Sequence, residues 1–98
     1  MCGAPKQGGA LAGIDLATQT VIQGQVWHDG APVAGAYVRL LDATGEFTAE
    51  VVTSPEGEFR FFAAPGKWKL RSLAPVGRGE RVLSAEVGLT ETTVVLDQ

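Results

Sequence analysis

One cysteine and one histidine are all the chain offers for thiol and imidazole chemistry, and that scarcity removes several functions at once. A lone cysteine closes no internal disulfide and builds no cysteine-rich zinc site. Zinc normally draws on about three or four protein donors, so one histidine makes no metal centre. Basic residues are also few: 8 Lys and Arg stand against 11 Asp and Glu, with a net charge of −3 and a pI near 5.0. Phosphate backbones are gripped by clustered positive charge, so nucleic acid is not an expected partner. No apolar run approaches the roughly 18 residues of a membrane span, and the Gly- and Ala-rich start lacks the basic and apolar regions of a secretory signal. The expectation is a cytoplasmic protein without membrane contact. Gly8-Gly9 and Gly77-Arg78-Gly79 lack the Lys-Ser/Thr and strand-to-helix setting of a phosphate loop. They read as linker and turn, and no cofactor is implied.

What is present is a chain of 98 residues, 45% hydrophobic and 19% charged, with 13 glycines. That length supports one domain with one core. Residues 1–19 are dominated by small side chains without period and read as a flexible or loosely docked arm; residues 20–98 form the domain. In 21–27 a pleat places Ile22, Gly24 and Val26 on one face and the glutamines on the other. Asp29-Gly30 then turns the chain. In 36–41, Ala36, Val38 and Leu40 alternate with Tyr37 and Arg39; in 47–53, Phe47, Ala49 and Val51 alternate with Thr48 and Glu50. Phe59 and Phe61 share a face within 58–62, where Phe62 breaks the alternation. In 67–71 apolar and basic residues alternate without error, and 80–87 and 91–96 complete the set. No segment of 10 or more residues has helical periodicity, and seven short strands separated by turn signals predict an all-β sandwich or barrel.

The segments Val21-Ile22-Gln23-Gly24-Gln25-Val26, Gly35-Ala36-Tyr37-Val38-Arg39-Leu40, Gly57-Glu58-Phe59 and Pro65-Gly66-Lys67-Trp68 resemble the carboxypeptidase regulatory-like and transthyretin-like sandwiches, which implies an all-β, seven-stranded antiparallel β-sandwich. Trp68 stands where that pattern usually has tyrosine. A second resemblance rests on Met1-Cys2-Gly3-Ala4-Pro5-Lys6-Gln7, on Glu46 to Val52 and on Phe59 to Gly66. These are similar to a small actinobacterial family of undetermined activity, labelled as sulfur-metabolism proteins and associated with thiosulfate sulfurtransferases of the rhodanese type. It implies a pathway neighbourhood and a sulfurtransferase or other protein as partner. The histidine set and C-terminal Tyr-Arg-Gly-Ser signature of transthyretin-like hydrolases are missing. With no asparagine in the chain, the Lys-Asn isopeptide bond of adhesin sandwiches is ruled out.

Four groups of residues remain as candidates. Cys2 becomes the N-terminus if Met1 is removed, and its α-amino group (pKa about 7.7–8.0) beside the thiol (about 8.5) favours the thiolate. Such a thiol accepts sulfane sulfur, chelates through N and S, or forms a mixed disulfide; the alternative is an inert small residue in the arm. His28, next to Asp29-Gly30, reads as a strand-end polar residue. Lys67, Lys69 and Arg71 share one strand face, joined by Arg60 if the two segments pair as a hairpin. That stripe is either a solvated surface balancing Glu50 and Glu58 or a receptor for an acidic partner or small anion. Trp27, Tyr37 and Phe62, if exposed together, form an apolar interface for a protein or for a homo-oligomer; a second packed layer accounts for them equally well. Three readings therefore stand: a non-enzymatic accessory or binding protein in cytoplasmic sulfur metabolism, a persulfide carrier using Cys2, and a structural homo-oligomeric scaffold.

Overall fold

Eight strands and no helix make up residues 14–97, the part of the chain this computed structural model describes. They are β1 (Thr20–His28), β2 (Ala31–Pro32), β3 (Tyr37–Leu41), β4 (Phe47–Val52), β5 (Glu58–Phe62), β6 (Gly66–Ala74), β7 (Gly77–Ala85) and β8 (Gly88–Val95). Two four-stranded sheets result. Sheet I has the order β4-β3-β6-β7; sheet II is centred on β1, with β8 on one side and β5 and β2 on the other. The inner faces share one core of Ile22, Val26, Phe59, Phe61 and Val94 from sheet II against Val38, Leu40, Val51, Leu70 and Ala85 from sheet I. Each large aliphatic or aromatic side chain removed from water there contributes roughly 1.5–3 kcal/mol.

The count differs from the predicted seven because β2 is a two-residue strand too short to show a period. Asp29 (φ 53°) and Gly30 (φ 79°) both take positive φ, and a two-residue turn of that kind matches the twist of a hairpin. It therefore returns the chain against β1, with Trp27 opposite Pro32 and His28 opposite Ala31. The antiparallel expectation fails at one pair: β8 runs parallel to β1, from Thr20 opposite Gly88 to Trp27 opposite Val95. The reason is the crossing from sheet I to sheet II after Ala85, which delivers Gly88 to the start of β1, where its N–H donates to the Gln19 carbonyl at 2.8 Å. From that end β8 can only run alongside β1 in the same direction.

Gly77-Arg78-Gly79 is the start of β7 rather than a loop; the turn falls at Pro75 and Val76. A side chain at Gly79 would run into the Val95 carbonyl of β8, so this glycine permits a close approach of two backbones. Arg78 and Asp97 exchange backbone hydrogen bonds of 2.8 and 2.7 Å there, which closes one seam between the sheets.

Two polar residues bear on stability. Asp42 organises the β3–β4 turn, accepting from the Thr44 hydroxyl at 2.6 Å and from the N–H groups of Thr44 and Glu46. The Thr44 hydroxyl bond, followed by the Glu46 N–H, holds its pKa below the usual carboxylate value. A carboxyl with a lowered folded-state pKa adds stability that is complete above the unfolded value and disappears as pH falls through the folded one. Asp42→Asn should therefore flatten the acid limb of a stability–pH curve below about pH 4 and leave its slope near neutrality unchanged, as measured by urea midpoints across pH.

Ser72 has the opposite character. It is fully buried between Val38 and Gly79 in register, and its hydroxyl has no hydrogen-bond partner among the described residues. An orphaned buried hydroxyl costs about 1–3 kcal/mol, partly offset by the void its removal leaves. Ser72→Ala is expected to raise stability by about 1 kcal/mol, read as a higher urea midpoint at unchanged m-value.

Candidate docking face

Alternation along β3, β4, β6 and β7 decides which side chains leave the core on sheet I. Tyr37 and Arg39 on β3, Lys67, Lys69, Arg71 and Leu73 on β6, and Arg78, Glu80 and Val82 on β7 all face away from it. Strict alternation points Phe47 inward with Ala49 and Val51, and here the structure differs. A register shift between Leu40 and Leu41 pairs Leu40 with Ala49 but Leu41 with Phe47, leaving Thr48 as an extra residue. One inserted residue reverses the facing of those before it, so Phe47 lies on the outer face, where the Arg39 guanidinium sits 5.9 Å from its ring centroid.

Register then assembles a charged row across all four strands. Glu50 stands opposite Arg39, Arg39 opposite Arg71, and Arg71 opposite Glu80. The outer pairs are closed: Arg39 Nε to Glu50 Oε2 at 2.9 Å and Arg71 Nε to Glu80 Oε2 at 2.6 Å. The bond from Arg71, with further attraction from Arg71, Lys69 and Arg78, holds the Glu80 carboxyl below its usual pKa. Mostly apolar rows flank it: Val52, Tyr37 and Leu73, ending in Arg78, on one side, and Phe47, Leu41 and Val82, with Lys69 between the last two, on the other. Tyr37 is 52%, Phe47 61%, Leu73 57% and Val82 66% exposed. Tyr37, Arg39, Glu50, Arg71 and Leu73 enclose a cleft of about 320 Å³.

The outer face of sheet II is different in kind. Arg60 Nε donates to Gln23 Oε1 at 3.1 Å, and Gln23 Nε2 to Glu91 Oε2 at 3.4 Å, a relay across β5, β1 and β8. Gln25 donates to the Glu56 carbonyl at 3.0 Å and accepts from the Trp27 indole at 3.2 Å. These side chains are tied to one another and to the Glu56 carbonyl.

The predicted site residues therefore separate. Lys67, Lys69 and Arg71 do share a face. Arg60 does not join them, because β5 pairs with β1 and not with β6, and Glu58 goes with it. Trp27 and Phe62 lie on sheet II, at opposite ends of β1, with Phe62 opposite Val21, while Tyr37 lies on sheet I; they form no single patch. His28 Nδ1 lies 3.1 Å from the Leu96 carbonyl, as suits a strand-end residue. Cys2 lies outside the described residues. Among the described residues no three His, Cys, Asp or Glu side chains gather to hold a metal, and no helix is long and apolar enough to cross a membrane. Sequence reasoning misses Arg39 as a site residue: alternation puts it outside, but only its register with Arg71 makes it part of a site.

A family profile described as "Protein of unknown function (DUF1416)" matches residues 2–96. The chain belongs to the DUF1416 family. Two uncharacterized proteins of Mycobacterium tuberculosis H37Rv are each 54% identical to this DUF1416 chain over 97 residues, covering 96% of it and 97% of themselves. An uncharacterized protein of Mycolicibacterium smegmatis is 52% identical over 85 residues, 85% of the chain and 94% of the relative. Among solved structures, a DUF3823 family protein from Parabacteroides merdae superposes with a TM-score of 0.66 at 13% identity, over 81% of the DUF1416 chain and 46% of its own. The dioxygenase domain of a dioxygenase carbohydrate-binding protein fusion from Streptomyces sp. SirexAA-E gives 0.56 at 14% identity, over 99% and 92%. At such identities the likeness concerns the fold.

Proposed function

We propose that this DUF1416 chain is a non-enzymatic binding protein of the carboxypeptidase regulatory-like sandwich type that docks a protein partner on the outer face of sheet I. The observation that carries the reading is the mixture on that face: exposed Tyr37, Phe47, Leu73 and Val82 interleaved with arginines in a four-strand ladder. Aromatic residues and arginine are the side chains enriched at protein interfaces. The flanking Lys67, Lys69 and Arg78 make the face predominantly basic, so an acidic surface is its complement. The resemblance of the N-terminal and central segments to a sulfur-metabolism family makes a thiosulfate sulfurtransferase the partner to test first.

Self-association through this face is disfavoured by the ladder itself. Its order, Glu50-Arg39-Arg71-Glu80, is symmetric about the middle. A two-fold, face-to-face pair with aligned ladders sets arginine over arginine and glutamate over glutamate. Copies of the chain should therefore not pair through this face at low salt, where such repulsion is least screened, and Arg39→Glu/Arg71→Glu should sediment as the parent does.

Titration calorimetry with the sulfurtransferase tests the docking. The doubly reversed variant Arg39→Glu/Arg71→Glu should weaken binding by at least about tenfold, since losing charges central to an interface costs about 2–5 kcal/mol. Equal affinity for both proteins, or no heat with the parent chain, would remove sheet I as the docking face for this enzyme.

A further inference from the structure

The arginine cleft on sheet I has a more specific chemistry than a docking face requires. We infer that the cleft between Arg39 and Arg71 is a carboxylate pocket, seating an acidic residue and its adjoining apolar group from the docked protein partner; this assignment rests on the proposed docking function.

Two arginines opposed on neighbouring strands, as Arg39 and Arg71 are, repel each other, and like charges in that position destabilise a sheet. The outer glutamates relieve part of this repulsion and also set its geometry. Glu50 holds Arg39 toward β4 and Glu80 holds Arg71 toward β7, in opposite directions. The cleft of about 320 Å³ lies between them. Each arginine meets its glutamate through Nε, while a guanidinium carries five N–H donors. The Nη groups have no hydrogen-bond partner among the described residues, which leaves them to receive another oxygen acid.

One end of the cleft is apolar. Tyr37 and Leu73 face each other in register, more than half exposed. A naked inorganic anion would leave these walls wetted. A carboxylate attached to an apolar group uses both kinds of wall: its oxygens accept charge-assisted hydrogen bonds from one or both arginines, and its carbon body lies against Tyr37 and Leu73. Lys69 and Arg78, close enough to Glu80 to lower its pKa, add attraction for an acid at this end of the face.

The test uses the intact chain and small probes, followed by two-dimensional NMR of backbone amides and arginine Nε–H groups. Phenylacetate carries the charge and the apolar body, phenylacetamide the body alone, and sulfate the charge alone. Phenylacetate should give saturable shifts at Tyr37, Arg39, Arg71 and Leu73, with a Kd on the order of 5 mM, as expected for a fragment of that size. Arg71→Gln and Arg39→Gln should each weaken it by about tenfold, the loss of one charge-assisted hydrogen bond, with an otherwise unchanged spectrum showing that the fold persists. Shifts of equal size with phenylacetamide would overturn the carboxylate, equal affinity for sulfate would overturn the apolar component, and no saturable shift would overturn the pocket. The failure of docking is separable. A sulfurtransferase that binds Arg39→Gln/Arg71→Gln as tightly as the parent keeps the docking face and removes the pocket from it. A parent chain that binds phenylacetate but not the enzyme keeps the pocket chemistry and removes that partner.

Discussion

Gly24→Ala should lower the stability of the chain by more than about 4 kcal/mol. Gly24 lies in the middle of β1, the strand that holds β5 on one side by antiparallel pairing and β8 on the other by parallel pairing. A Cβ placed there falls far inside contact distance of the Thr92 carbonyl oxygen and 3.1 Å from Phe59 Cζ. The oxygen belongs to the backbone of β8, so relief requires that strand to move away from β1 and give up its ladder. Overpacking in a rigid interior costs about 1–3 kcal/mol when side chains can adjust; a collision with backbone belongs to the exceptional class above about 4 kcal/mol. That is a large share of the net stability of about 5–15 kcal/mol usual for a domain of this size. Circular dichroism during a urea titration reads the result directly. A sigmoidal transition within about 1 kcal/mol of the parent would show that β8 is not held as tightly to β1 as the structure indicates.

Phe59→Ala carries the second large effect and shares its cause. Phe59 is opposite Gly24 in register, 1% exposed, and its ring lies 6.0 Å from that of Phe61 at a tilt of 53°. The ring occupies the space that the missing Gly24 side chain leaves, so the glycine and the phenylalanine act as one packing unit. Truncation leaves a cavity with little around it free to collapse, and comparable Phe→Ala changes cost about 3–5 kcal/mol. Residues in contact are not additive, which gives a sharper test. Adding Phe59→Ala to Gly24→Ala removes the clash with the ring but leaves the clash with Thr92, so the pair should be no more stable than Gly24→Ala alone. Recovery of stability in the double variant would place the obstruction at the ring and not at β8.

These two sites explain why a glycine inside a strand pattern is readable only in part. Gly24 interrupts an otherwise apolar-in alternation, and strand glycines mark bulges or close backbone approaches. Nothing in the neighbouring residues says which backbone approaches. The answer is β8, whose residues lie 68 positions away in the case of Glu91 and Gln23, in a parallel pairing that comes from a change of sheet.

The docking face is legible to the same depth. Period-two alternation puts Lys67, Lys69 and Arg71 on one surface and Tyr37 and Arg39 on another, because a pleat sends successive side chains to opposite faces regardless of what pairs with the strand. That these two surfaces are one, and that Arg39 meets Arg71, depends on β3 lying beside β6 with β4 and β5 between them in sequence. Arg60 shows the converse. It is close in sequence to the basic strand, and a hairpin is the simplest expectation, yet Ala63 to Pro65 carries the chain between sheets and puts Arg60 on a different sheet from Lys67. Phe47 departs from its expected facing for a local reason of equal force: a single extra residue, Thr48, reverses it.

The sequence by itself determined the strand-rich class, most of the turns, and the inward residues from Ile22 to Leu70, since pleat, burial and turn geometry are local or nearly so. It also determined what the chain lacks in thiol and imidazole chemistry. Only the tertiary structure decided the number of strands, the parallel pair, the division of basic residues between two sheets, and the Glu50-Arg39-Arg71-Glu80 ladder. Those depend on which strands become neighbours and in what register. That choice is made by the free energy of the whole core, through contacts between residues far apart in the chain.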